Sequence, residues 1–177
     1  MFLTIGVVLV LERLVGLDVP VRPQRGQILV TEALPPLLRH PSVPARQARS
    51  GTLLLGATHE EEGFDAGSTA AGICRVAAST RRYFPFLARV AVLRAWGALR
   101  PLSPDGLPIL EQPAGWPGLF LVTSHSGITL CPAVGRAVAE WVRVGHRPSG
   151  LPFFDRVRFR AGAPGRLEPT PAEVSVE

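Results

Sequence analysis

The chain predicts an α+β fold, an antiparallel sheet with a helix on one face, followed by a separate strand–turn–helix unit. Three observations carry this. Three β-type runs (27–31, 52–58 and 90–98) surround a single stretch of helical periodicity at 68–84, so sheet and helix fall into one layer each. A later run, 118–123, is apolar at every position but its first and last, and leads through a turn into a second helical pattern ending near Val144. Finally, 46% of the 177 residues are hydrophobic, enough to bury a core and too many for a disordered chain.

Taken in order, residues 1–11 are almost wholly apolar but about half the 20 or so a membrane span needs. They lack the charged leader and small-residue site of a signal peptide, and read as a buried strand or the start of a helix running into 12–15. Residues 27–31 are β-branched and form the first strand. Pro35, Pro36, Pro41 and Pro44 make 35–49 a loop. The second strand, 52–58, closes on Glu60-Glu61-Glu62, whose mutual repulsion predicts a solvated hairpin tip. Ser68 or Thr69 can cap the helix at 68–84, with Ile73, Val76, Ala77 and Tyr83 or Phe84 on its apolar face and Pro85 as its stop.

The third strand, 90–98, is expected to end at Arg100, because Pro101, Pro104, Gly106 and Pro108 cannot continue a ladder. The run 118–123 reads as a fully buried parallel strand. The helix after it is expected from about 129 to 144, with Pro132 in its first turn and Gly145 at its end. Val134, Val138, Trp141 and Val142 give that helix an apolar face, while Ala133, Gly135, Ala137 and Ala139 would allow a close neighbour. Beyond Phe159 the Pro/Gly/Glu-rich tail is expected to be disordered.

Charge and thiols narrow the functional classes. All 19 basic side chains are arginine, the net charge is +5, and the arginines are scattered apart from Arg81-Arg82 and the 156/158/160 alternation. Nucleic-acid recognition, which wants a basic run or aromatic interleaving, is not expected. Cys74 and Cys131 lie far apart without a Cys-x-x-Cys pattern, and read as reduced, half-buried thiols of a cytoplasmic protein. His40, His59, His125 and His146 show no metal-ligand spacing, so no metal is expected.

Two stretches carry candidate chemistry. Arg100, beside Trp96 and Leu99 at a proline-rich corner, can hold a carboxylate through two parallel charge-assisted hydrogen bonds. Alternatively it is one more surface arginine in an arginine-rich chain. Downstream, a strand–turn–helix unit presents the free N–H groups of Gly127, Ile128 and Thr129 and the positive end of a helix dipole, which favour negative charge. Alone, that unit is also compatible with a turn that binds nothing.

Together these stretches resemble the C-terminal part of the flavin-dependent amine and amino-acid oxidases, the family of D-amino-acid oxidase, glycine oxidase and sarcosine oxidase. The resemblance rests on Trp96-Gly-Ala-Leu-Arg-Pro-Leu-Ser-Pro-Asp-Gly-Leu-Pro108, on Ser124-His-Ser-Gly-Ile-Thr129, and on Pro20-Val-Arg-Pro-Gln-Arg-Gly-Gln27, and covers roughly 14–159. It implies an oxidoreductase that moves hydride from an amine or amino-acid carbon to FAD, with hydrolysis of the imine and reoxidation by oxygen or a partner. Arg100 would then pair with the substrate carboxylate, and Ala98, Leu99, His125, Ser126, Gly127, Ile128 and Thr129 would border the flavin. His125 would serve there as a turn residue.

The chain departs from the family pattern at Ala98, where many relatives have glycine and sarcosine oxidases have the cysteine that attaches flavin covalently, so FAD would be noncovalent. Ser124 also replaces a glycine, which would strain the turn if φ there were positive. No Gly-x-Gly-x-x-Gly follows a strand and opens a helix, so the ADP half of FAD has no recognisable motif in this chain. The domains expected are a remnant at 1–17, a substrate-binding domain at 18–112, the closing strand–helix of a Rossmann-like FAD domain at 113–147, and a tail at 148–177. The dinucleotide-binding half would lie outside this chain, in the rest of a longer protein or on a partner chain, and the fragment alone is expected to be inactive. The alternative is a non-catalytic subunit or interaction module that keeps the fold without flavin.

Overall fold

The computed structural model describes residues 14–149, 151 and 154–159; the elements expected at 1–11 and beyond Phe159 lie outside them. The fold is α+β, as the sequence predicts. It divides into two compact units, one from Pro23 to Arg100 and the other made of the chain on either side of it.

The first unit holds β1 (Arg22–Ala33), β2 (Ala45–Gln47), β3 (Thr52–Gly56), α1 (Ala70–Tyr83) and the start of β4 (Val92–Leu102), in the sheet order β2-β3-β1-β4. β3 pairs antiparallel with both β1 and β2. The register of β1 against β3 slips between Val30 and Ala33, and Thr31 repairs the gap: its Oγ1 accepts from Leu53 N at 3.0 Å. Leu29, Leu53, Leu55 and Val76 are buried between sheet and helix, with Ile73, Phe84, Leu87 and Ala95 packed around them.

Several expectations are corrected here. β1 has 12 residues, not five, because its polar start is satisfied internally, as described below. The supposed loop at 35–49 contains β2. Gln47 organises the backbone around it: its Oε1 accepts from Leu37 N and Leu38 N, and its amide donates to Leu34, Pro35 and Gly51 carbonyls. Thr69 caps α1, accepting from Gly72 N at 3.1 Å, and the helix stops before Pro85 as predicted. Its buried face, however, is Gly72, Val76 and Thr80, while Ala77 and Tyr83 are exposed. Thr80 is tolerated inside because its hydroxyl donates to Val76 O at 2.8 Å.

The second unit holds the hairpin of β5 (Ile109–Glu111) and β6 (Leu121–Thr123), α2 (Gly127–Val144) and a single 3-10 turn, Arg156–Phe159. β6 is not a buried parallel strand. It pairs antiparallel with β5, and Val122 is 38% exposed; composition that is apolar on both faces does not say which edge is paired. Val19 and Ile109 are buried here with Leu17, Val21, Leu121 and Phe159 around them, and Trp141 packs edge-on against Phe120 at 5.5 Å. Val142, expected on the apolar face of α2, is 57% exposed. Gly145 ends the helix in a left-handed cap at φ 77°, as predicted. Cys74 and Cys131 are free, and both are exposed rather than half-buried.

Candidate functional site

Side chains alternate along a strand, and this divides the Pro-Gln-Arg-Gly-Gln segment of β1 into two roles. Arg25 and Gln27 point to the helix side. Gln24 and Gly26 belong to the opposite face, which also carries Arg100 at the end of the unit.

Arg25 and Gln27 build a buried polar network. Arg25, 3% exposed, donates through Nε and Nη2 to Glu60 Oε2 at 2.8 and 2.6 Å and through Nη1 to Asp65 Oδ2 at 2.7 Å. Gln27 donates to both Glu60 oxygens at 2.9 and 3.0 Å, and its Oε1 accepts from Thr69 N at 2.8 Å. Burial pushes the Glu60 carboxyl up, but hydrogen bonds from Thr58, Arg25 and Gln27 more than offset this and hold it below its ordinary value. Glu60 is therefore not part of a solvated tip. One of the three adjacent carboxylates is folded inward because a guanidinium is waiting for it, which ties the loop after β3 to the start of α1.

On the other face, Arg100 lies over the backbone of Gly26. Nη1 is 2.9 Å from His59 Nδ1 and donates to Gln24 Oε1 at 3.4 Å, while Nη2 donates to Thr58 O at 3.3 Å. A Cβ on Gly26 would overlap Nη2 and come within 2.8 Å of Cζ. The guanidinium is seated where only glycine leaves room. Sequence reasoning missed Gly26, Gln24, Thr58 and His59 as neighbours of Arg100. The signal available was the glycine within the Pro-x-Arg-Pro-x-x-Gly-Gln segment, since a strand glycine marks a close approach.

Arg100 is also not at a strand-to-turn junction. β4 continues through it to Leu102, and Pro101 is accommodated because β4 is an edge strand of the sheet. Ala98 is exposed and Leu99 half-buried. The glycine that packing requires is Gly97, whose Cβ would fall 2.6 Å from Ala66 O and 2.7 Å from Gly67 O. A shallow trough lined by Val30, Thr52, Leu54, Leu93, Arg94 and Trp96 lies along the sheet.

In the second unit, the turn expected to meet a flavin has its own geometry. Ser126, at φ 55°, is the N-cap of α2 and its side chain makes no capping bond; the positive φ falls there rather than at Ser124. Ser126 Oγ lies 2.9 Å from His125 Nδ1. The helix starts at Gly127, two residues before expectation, so Pro132 stands in its second turn and removes a bond to the carbonyl of Ile128. The first N–H groups, those of Gly127, Ile128 and Thr129, have no acceptor within the helix by geometry, and these residues are exposed. Nothing stands within 4 Å of a Cβ built on Gly127.

Several arginines of the second unit are structural, each paired with a carboxylate. Arg158, 2% exposed, holds Asp105 of the Ser-Pro-Asp-Gly turn through Nε and Nη2 at 2.8 and 3.0 Å. Burial pushes the Asp105 carboxyl up, but Arg158 and the backbone N–H of Leu107 outweigh this and leave it below its ordinary value. Arg156 binds Glu111, and Arg147 binds Asp155 while donating to Leu110 O at 3.0 Å. Among the described residues no cluster of His, Cys, Asp and Glu could hold a metal, and no helix is long and apolar enough to cross a membrane.

Comparison with known proteins agrees with the three motifs. The chain is 34% identical over 151 residues to a subunit of opine oxidase from Agrobacterium tumefaciens, covering 85% of this chain and 41% of that protein. It is 36% identical over 163 residues to the HcnC subunit of hydrogen cyanide synthase from Pseudomonas protegens, covering 89% and 39%. The crystal structure of glycine oxidase from Geobacillus kaustophilus superposes with a TM-score of 0.69 at 28% identity, covering 80% of this chain and 40% of that one. The chain thus spans about two fifths of the length of the curated relatives it matches. The FAD dependent oxidoreductase (DAO) profile matches residues 4–141, and with the shared fold and motifs this establishes that the chain belongs to that family.

Proposed function

We propose that this chain is the substrate-binding and flavin-closing portion of a FAD-dependent oxidoreductase that oxidises an amine or amino acid by hydride transfer from a substrate carbon. The observation that carries the reading is the seat of Arg100. A guanidinium held from Thr58 O, Gln24 and His59 over a glycine is fixed in place, as a carboxylate clamp must be.

The residues of the α2 turn fit one edge of FAD. Ser126, Gly127, Ile128 and Thr129 supply uncapped N–H groups with open space around Gly127, the environment that stabilises negative charge at a flavin's N1/O2 edge. The resemblance assigns Ala98 and Leu99 on β4, and separately His125 in the turn, to the flavin's border, and attachment would be noncovalent. FAD, when bound, supplies the two-electron acceptor. Arg100 holds the substrate by its carboxylate and so fixes which carbon reacts.

The ADP half of FAD has no motif in this chain, so the reading includes a dinucleotide-binding half supplied from outside it, in a longer protein or a partner chain. That relatives are named as subunits supports a partner chain. Co-expression with the polypeptide encoded immediately upstream tests the proposal. A yellow complex that oxidises amine carboxylates is expected, and a colourless complex supports a non-catalytic subunit. In the yellow complex Arg100→Ala should keep the flavin while lowering substrate affinity and turnover together; loss of flavin with substrate handling intact overturns the assignment.

A further inference from the structure

We infer that the corner where α1 meets the 3-10 turn Pro85–Arg89 is a docking surface for an anionic lipid bilayer, with Tyr83 and Phe86 entering the headgroup layer and the arginines around them meeting its charge. The surface lies wholly within the first unit and is independent of the oxidase reading.

Charge is the first observation. Residues 70–89 contain Arg75, Arg81, Arg82 and Arg89 and no acidic residue, and all four arginines are exposed. Elsewhere in the molecule Arg25, Arg147, Arg156 and Arg158 each bind a carboxylate. The acids of the first unit are engaged by other groups. Glu60, Glu62 and Asp65 face Arg25, Glu61 accepts from Gln24 Nε2, and Glu32 accepts from Ala91 N at 2.9 Å. The negative end of the α1 dipole accounts for Arg81 and Arg82 in its last turn, but not for Arg75 or Arg89.

Aromatic side chains are the second observation. Phe84, at the cap of α1, packs against the core, and Phe86 stands edge-on to it at 6.1 Å. Tyr83 and Phe86 are nevertheless 56% and 44% exposed. Phe86 and Arg89 are three residues apart in a 3-10 turn and so lie on one side of it. Beside Arg81, an open cleft of about 360 Å³ lined by Cys74, Ala77, Ala78, Leu87 and Val90 extends the apolar surface from the corner.

This pattern fits a bilayer interface, where aromatic rings sit at headgroup level and each nearby arginine is drawn to anionic lipid. A folded protein partner is met through a charge-depleted core with a polar rim. Here the charges are interleaved with the rings along one short segment.

The test is co-sedimentation of the full chain at neutral pH with vesicles of phosphatidylglycerol and phosphatidylcholine in equal parts, and with phosphatidylcholine vesicles as the net-neutral control. Binding is expected to the first alone, and should weaken as salt shortens the Debye length. Arg81→Gln with Arg89→Gln should lower partitioning about 25-fold, about fivefold for each arginine near the surface. Tyr83→Ser with Phe86→Ser should lower it about tenfold with the net charge unchanged; Tyr83→Ser alone serves if Phe86→Ser unfolds the chain. Arg39→Gln with Arg49→Gln removes the same charge from exposed positions elsewhere, and should change partitioning by less than about twofold. Equal losses from the two arginine pairs, or binding that ignores the aromatic substitutions, would show attraction to net charge alone and overturn the docking surface. Equal binding to phosphatidylcholine vesicles, or no binding to the anionic ones, overturns it as well. A single-stranded oligonucleotide that binds instead, through Arg81 and Arg89, would reassign the corner to nucleic acid.

Discussion

Replacing Gly26 by alanine separates the geometry of the Arg100 seat from the stability of the fold. The added Cβ would overlap Arg100 Nη2, lie 2.8 Å from Cζ and 3.2 Å from Thr58 O, where ordinary contact begins at 3.4 Å. The Thr58 carbonyl needs to yield only a few tenths of an ångström. The guanidinium must leave its place, and it can, because it ends a flexible side chain. Gly26 is not among the residues with positive φ, so alanine fits the backbone. Stability should therefore change by less than about 1 kcal/mol.

Arg100, pushed off Gly26, loses its bond to Thr58 O and its aim. One lost charge-assisted hydrogen bond corresponds to about tenfold in carboxylate affinity, and a misplacement of about 1 Å to about 100-fold in turnover. Thermal unfolding and propionate titration of the same protein provide the assay, with turnover measured in the yellow complex. Wild-type affinity in Gly26→Ala would show that the seat does not set the site. An unfolded variant would show that the clash falls on backbone rather than on the guanidinium, and would refute the reasoning.

The other predictions concern the scaffold. Gly97→Ala meets two backbone carbonyls that cannot swing aside, so it should cost about 2 kcal/mol, read as a lowered Tm. Asp105→Asn leaves the buried Arg158 uncompensated and should cost about 3 kcal/mol at neutral pH by denaturant unfolding. Glu60 and Asp105 are both held below their ordinary values, so the stability they contribute is present at neutral pH and lost as pH falls through their folded-state titrations, below about pH 4. The deficit of Asp105→Asn should accordingly shrink in acid, and a constant deficit would contradict the pairing. Ser126→Gly relieves a left-handed residue and should raise stability by about 1 kcal/mol, seen as a higher Tm.

The sequence by itself determined the α+β class, the capped helix between Thr69 and Pro85, the glycine stop at Gly145 and the family, because periodicity, caps and contiguous motifs are local in the chain. It also singled out Arg100 as a residue to watch. Tertiary structure alone decided where long-range pairings fall. Glu60 turns inward because Arg25, 35 residues away, is buried opposite it. β4 runs through Pro101 because it lies at an edge, and β6 pairs antiparallel with β5. Arg100 is clamped over Gly26, far earlier in the chain, through Gln24, Thr58 and His59. Such contacts leave no periodic trace. A buried charge, a proline or a lone glycine reads as a surface residue or a breaker until folding brings its partner beside it.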